Sequence, residues 1–249
     1  MSCALTTTPR IRRAVASPTN ATGSTSPTRI LDWHSPALQA LTASLDDTCG
    51  LALLHAAHTA IAARIRPVYS LDEQQPASRT LAKGRGSCSQ RFAVLEAVAR
   101  SRGIATRSRV LLVDGSFWRA RFGALAPLLP NSILLAWPQF RIDGRWVDAS
   151  DLFILAADAR PFENAGDDTL FDAVGRGAAP WSQDSDCGCT IAPDADDLGT
   201  FESRDAVFAH YGQNLPAAIR IAIEPVFGRW AAGASPDSSR ESAPAARSA

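Results

Sequence analysis

Lysine is almost absent from this chain of 249 residues: Lys83 is the only one, and every other cation is arginine. Arginine stays protonated and is unsuited to Schiff-base or general-base work, so lysine chemistry is excluded unless Lys83 carries it. An Arg- and Ala-rich bias of this kind is what a GC-rich genome produces. An excess of one charge is missing too. Lys+Arg is 25, Asp+Glu is 25 and the pI is about 6.9, which removes the basic surplus of a nucleic-acid binder. No run of about 18 apolar residues occurs, which excludes a membrane-spanning helix. Five cysteines are too few, and odd in number, for a disulfide scaffold. The N-terminus lacks the apolar centre of a secretory signal. What remains is a soluble chain expected in a reducing, cytoplasmic compartment, long enough to bury a sizeable core.

The organisation reads from the edges inward. Residues 1–29 hold Arg10, Arg12, Arg13 and Arg29 among Ser, Thr, Pro and Ala, without one acid, and predict a disordered tail. Pro9, Pro18 and Pro27 spoil the amphipathic helix that a mitochondrial presequence needs. Residues 233–249 predict a second tail. Between them lie an expected core, 30–153, and an extension, 154–232, packed on it. A short helix is expected over Pro36–Leu45. A longer one runs from Asp46 or Asp47 to Arg66, with Leu51, Leu54, Ala57, Ile61 and Ile65 at helical spacing and Asp47 or Thr48 as cap. Val68 to Leu71 predicts a short strand.

The third helix carries the chemistry. Gly84 and Gly86 allow a tight turn before Cys88; Phe92, Leu95, Val98 and Ala99 then keep helical spacing, and Gly103 supplies a left-handed stop. Cys88 therefore falls in the first turn of a buried helix, where unpaired N–H groups and the positive end of the dipole favour a thiolate. A small buried hydrophobe is the structural alternative for the same residue.

A strand follows over Ala105–Asp114. After a longer loop containing Trp118, Ile133–Ile142 and Arg145–Ala149 flank Asp143-Gly144, a strong type I′ hairpin signal. That register pairs Gln139 with Asp148, Arg141 with Trp146 and Ile142 with Arg145. Alternation then gathers Leu135, Trp137, Gln139, Arg141, Trp146 and Asp148 on one face, a working surface of aromatics and fixed polar groups.

In this order, the Cys88 helix, the strand approach Gly103–Arg107 and the hairpin from Ala136-Trp137 to Asp143-Gly144-Arg145-Trp146 resemble the bacterial transglutaminase-like superfamily. The lead-in from His34 through Ser78–Gly86 is also similar to that family's upstream helices. The resemblance covers about residues 32–153. It implies an α+β fold of the papain-like arrangement, a Cys-bearing helix packed on an antiparallel sheet. It also implies acyl transfer: a thiolate attacks an amide or ester, a His moves the proton and an acid orients the His. Catalytic roles fall to Cys88 and Asp148; Trp118, Trp137, Gln139 and Trp146 are the expected substrate-binding residues. No metal or cofactor is expected. The expected partner is a small-molecule, peptide or carrier-bound acyl substrate, with no nucleic acid and no membrane.

The departures from the family pattern are as informative. Where relatives carry the His before Ala-Trp, this chain has Leu135, which neither accepts nor donates a proton. Where they carry the acid, four residues beyond the second Trp, it has Ser150, flanked by Asp148 and Asp151. Gln139 stands where many relatives have Glu. His34, His55, His58 and His210 are the only imidazoles. His55 and His58, one helical turn apart, read as a packed or solvated face rather than a metal pair lacking a third ligand. His210, near the end of a short helix opening at Ser203, is the one that could fold back over the site. The acidic extension holds Cys187-Gly-Cys189, a weak metal signal without a second Cys pair. Leu215, Ile219, Ile223, Val226 and Phe227 predict a closing helix interrupted near Pro225. Three functions fit: acyl transfer or amide formation by a site with an altered triad, an inactive relative that keeps its cleft for binding, or a conventional protease or transglutaminase rescued by a distant His.

Overall fold

The structure, a computed structural model, describes residues 20–46, 48–118, 129–153, 162, 168–177 and 195–229. In chain order the elements are α1 (Pro36–Ala43), α2 (Gly50–Arg64), β1 (Arg66–Pro67), α3 (Ala77–Lys83), β2 (Arg85–Gly86), α4 (Cys88–Ser101), β3 (Thr106–Asp114), β4 (Ser132–Ile142), β5 (Arg145–Asp148), α5 (Leu170–Gly175), β6 (Asp196–Phe201), α6 (Arg204–Tyr211) and α7 (Ala217–Phe227). Strands β5-β4-β3-β6 form an antiparallel sheet, and β1 and β2 pair in parallel as a separate two-stranded one. The α+β architecture is the expected one. The hairpin register is also the expected one, with Gln139 opposite Asp148 and Arg141 opposite Trp146. Asp143 (φ 48) and Gly144 (φ 78) take the two left-handed positions of its turn.

Three expectations shift. Helix α2 starts at Gly50 with Cys49 at its cap and no side-chain cap bond, so Thr48 does not cap it; Asp47 lies outside the described residues. The expected strand at Val68–Leu71 is replaced by the two-residue ladder of β1 with β2, extended by the Val68 N–H donating to the Gly86 carbonyl at 3.1 Å. Residues 20–29, which composition assigned to a tail, lie along the sheet. Ser24 bridges Thr106, the Ala21 N–H donates to Thr200 Oγ1 at 2.9 Å, and a Cβ on Gly23 would strike the Trp146 ring. Backbone and hydroxyl groups hold this stretch, so its low apolar content did not reveal it.

Helix α4 is the axis of the fold and is buried on every side. Phe92, Val94, Leu95 and Val98 supply its apolar surface, yet Arg91, Glu96 and Arg100 are equally buried. Each charge fastens a different peripheral element, as buried ions require. Arg91 donates to Asp172 on α5 at 2.8 Å and lies over the Phe171 ring. Glu96 pairs with Arg204 on α6. Arg100 donates to Thr106 Oγ1 and to the carbonyls of Ser26 and Glu202.

His55 and His58 belong to this packing. His55 Nε2 contacts the Leu152 carbonyl at 2.6 Å and His58 Nε2 the Phe171 carbonyl at 2.8 Å, and the His58 ring stacks on Phe171. Burial pushes the His58 imidazole down from 6.5 to about 4. Above pH 6.5 the ring is neutral in both folded and unfolded chains. Below it, the unfolded chain takes a proton that the folded one refuses, so His58 removes stability as pH falls from 6.5 to about 4. Melting temperature measured against pH should fall less steeply over that window for His58→Gln than for the wild type; parallel curves would refute this.

Candidate active site

Cys88 is the first residue of α4. Ser87 precedes it as cap, its Oγ accepting from the Gln90 N–H at 3.3 Å while Gln90 Oε1 accepts from the Ser87 N–H at 3.1 Å, a complete capping box. Gln90 Nε2 also donates to Ser70 Oγ and the Asp72 carbonyl, both at 2.8 Å. The helix start is thereby locked to Ser70 and Asp72. Gly86 is required here because a Cβ would lie 2.7 Å from Thr80 Cγ2. Cys88 is half-buried and has a free thiol.

The thiol residue sits in the wall of a cavity of about 230 Å³. Phe92, Trp118, Leu135 and Trp137 share that wall, and Leu215, Ile223 and Phe227 close it from the C-terminal side. The Phe92 and Trp137 rings meet edge-on at 5.1 Å. Polar side chains are few: Tyr69, Ser70, Glu73, Ser87, Ser89, Thr169 and Asn214.

The face expected to carry six residues divides in two. Leu135 and Trp137 reach the cavity of Cys88, whereas Gln139, Trp146 and Asp148 are outside its lining among the described residues. They belong instead to an arginine cluster on β3. Arg107 Nε donates to Gln139 Oε1 at 2.6 Å and its guanidinium lies 4.3 Å from the centre of the Trp146 ring. Arg109 bridges Asp148 at 3.0 Å and Asp197 at 2.9 Å. Strand twist explains the separation, because the two ends of one sheet face diverge as the strands rotate past each other. Asp151 lies near this cluster, its carboxyl pushed up by burial and by the Asp148 charge, while Ser150 Oγ donates to it at 3.2 Å.

None of the four imidazoles is among the described lining residues of the cavity. His34 is exposed and stacks at a tilt against Trp33. His210 is exposed and packs on Phe201 and Tyr211. Among the described residues, no group of His, Cys, Asp and Glu is arranged to hold a metal ion. Cys187 and Cys189 lie outside the described residues.

Glu73 and Asn214 are cavity residues that sequence reasoning missed. Asn214 donates to the Glu73 carboxyl from its backbone N–H at 3.0 Å and from Nδ2 at 2.7 Å. The same side chain straddles Leu134, Oδ1 accepting from its N–H at 2.7 Å and Nδ2 donating to its carbonyl at 2.9 Å. Burial outweighs these two bonds and the nearby arginines, and pushes the Glu73 carboxyl up from 4.5 to about 7. Its effect on stability is opposite in sign to that of His58: it stabilises at low pH, and that contribution is lost as pH rises from 4.5 through about 7. No signal marked either residue, since Glu73 stands in a polar run with Asp72, Gln74 and Gln75 and Asn214 in a loop.

Residues 38–150 match the model of the transglutaminase-like superfamily. The chain thus carries a transglutaminase-like superfamily domain, with the Cys88 helix and the β3–β4–β5 sheet inside the matched span. No curated protein and no solved structure matches it. No helix of the described residues is long and apolar enough to cross a membrane.

Proposed function

We propose that the protein transfers acyl groups through Cys88, from an activated donor to an amine or water. The observation that carries this reading is the place of Cys88: first turn of a buried helix, free thiol, in the wall of an apolar cavity. Attack of Sγ on a carbonyl carbon forms a thioester and expels the donor's leaving group; an amine or water then attacks that thioester and frees Sγ.

Leu135 restricts the donors. General acid–base help supplies about 10² to 10⁴ in rate, and an amide nitrogen cannot leave well without it. A thiolate leaves unaided, so thioesters suit this site better than peptides. The cavity, at about 230 Å³, is below the ~300 Å³ at which ordinary ligand pockets begin. Its aromatic and aliphatic wall therefore suits a small apolar acyl group, with Trp118 and Trp137 keeping water from the thioester. Asp148, paired with Arg109, is assigned to holding the sheet edge.

The alternative is an inactive domain that uses the cleft for binding, favoured by Leu135 lining the cavity with Cys88. The two part on one experiment. Protein incubated with short-chain N-acetylcysteamine thioesters should gain one acyl mass on the Cys88 peptide, and Cys88→Ser should gain none. Binding of the thioester without a covalent adduct on the wild type would establish the alternative.

A further inference from the structure

We infer that Glu73 is the proton-transfer partner of Cys88, a carboxyl doing from one side of the cavity the work that an imidazole at position 135 does in relatives. The inference deepens the acyl-transfer reading and rests on it. Glu73 lines the same small cavity as the thiol residue. Cys88, Glu73 and Leu135 all line it, and two sets of bonds fix the chain around Glu73. On one side, Gln90, two residues after Cys88, ties Ser70 and the carbonyl of Asp72, the residue before Glu73, to the start of α4. On the other, Asn214 grips the Glu73 carboxyl and the backbone of Leu134, the neighbour of Leu135.

The remaining bonds hold the segment still. The Glu73 N–H donates to Gln213 Oε1 at 2.9 Å and the Leu71 N–H to Glu224 Oε2 at 2.6 Å. Asn214 occupies both carboxyl oxygens with single bonds, which leaves each oxygen a further lone pair able to accept a proton. A carboxyl that changes protonation near neutrality is suited to give and take a proton in the same turnover.

The step balances. The Glu73 carboxylate takes the Sγ proton as Sγ bonds to the acyl carbon. The carboxylic acid so formed gives that proton to the leaving group as its bond to the acyl carbon breaks. The products are the Cys88 thioester, the protonated leaving group and the original Glu73 carboxylate. Deacylation runs the same exchange with the proton of the incoming amine or water.

Other charges around Glu73 are Arg204 from α6, paired with Glu96 on α4, and Arg220 and Glu224 from α7, with Asp72 beside it and paired to Arg220. The test must therefore isolate Glu73. The rate of Cys88 alkylation by iodoacetamide, read on the Cys88 peptide of the full chain, should show an inflection close to pH 7 that vanishes in Glu73→Gln. Superimposed profiles would overturn the inference. Should Glu73→Gln fail to fold by circular dichroism, Asn214→Ser serves instead. It removes the Nδ2 donor from the carboxylate, so the inflection should move to higher pH; an unmoved one would overturn the inference. Alkylation needs no acyl donor, so a wild type that shows the inflection but takes no acyl group would sink only the acyl-transfer reading.

Discussion

Arg204→Met should cost the protein about 3–5 kcal/mol, the penalty for leaving one member of a buried ion pair alone. Glu96 and Arg204 are both fully buried, and they face each other across the α4–α6 contact. Their bonding is incomplete: Glu96 Oε2 and Arg204 Nη2 have no hydrogen-bond partner among the described residues. Burial pushes the Glu96 carboxyl up, and the Arg204 charge opposes that shift. Removing the guanidinium strands the carboxyl in an apolar core, and a domain of ordinary stability has only about 5–15 kcal/mol to lose. Arg204 Nη1 also donates to Ser89 Oγ at 2.9 Å, so the start of α4, next to Cys88, loosens as well. The double variant Glu96→Leu with Arg204→Met removes both charges and should recover most of the loss. Urea unfolding of the three proteins checks this; a double variant no more stable than Arg204→Met would refute it.

That pair also marks where sequence reading succeeded and stopped. Hydrophobic spacing located α4, and the Asp143-Gly144 turn set the β4–β5 register residue for residue, because both signals are local. Glu96 and Arg204 are 108 residues apart, and their meeting depends on α6 folding back across the sheet. The same holds for Glu73 and Asn214, 141 residues apart. An acid in a polar run looks solvated until a distant asparagine and an apolar wall enclose it. Alternation in β4 was legible, but it treats a face as flat. The sheet twists, so Trp137 joins the cavity while Gln139, Trp146 and Asp148 join Arg107 and Arg109.

Leu135→His tests the cavity from the opposite wall. Leu135 is partly exposed, pairs with Leu111 in the β3–β4 ladder and lines the cavity with Cys88. Imidazole is close to leucine in size, so the strand accommodates it with little repacking; burying its nitrogens costs about 1–3 kcal/mol unless they find partners. Once there, it adds a second proton carrier beside the thiol. With donors whose leaving group needs a proton, such as alkyl esters, turnover should rise by about 10²-fold, the low end of what acid–base catalysis supplies. With thioesters the gain should be small, because thiolate departure needs no proton. The contrast between donors is the decisive reading: equal gains on both would mean that the imidazole acts by raising thiolate content alone. In a Glu73→Gln background the same substitution should restore ester turnover, because the carboxyl and the imidazole perform one task from two walls of a single cavity. A folded double variant that stays as slow as Glu73→Gln would show that position 135 no longer addresses the thiol, and the loss of the histidine would then be a loss of geometry as well as of a base.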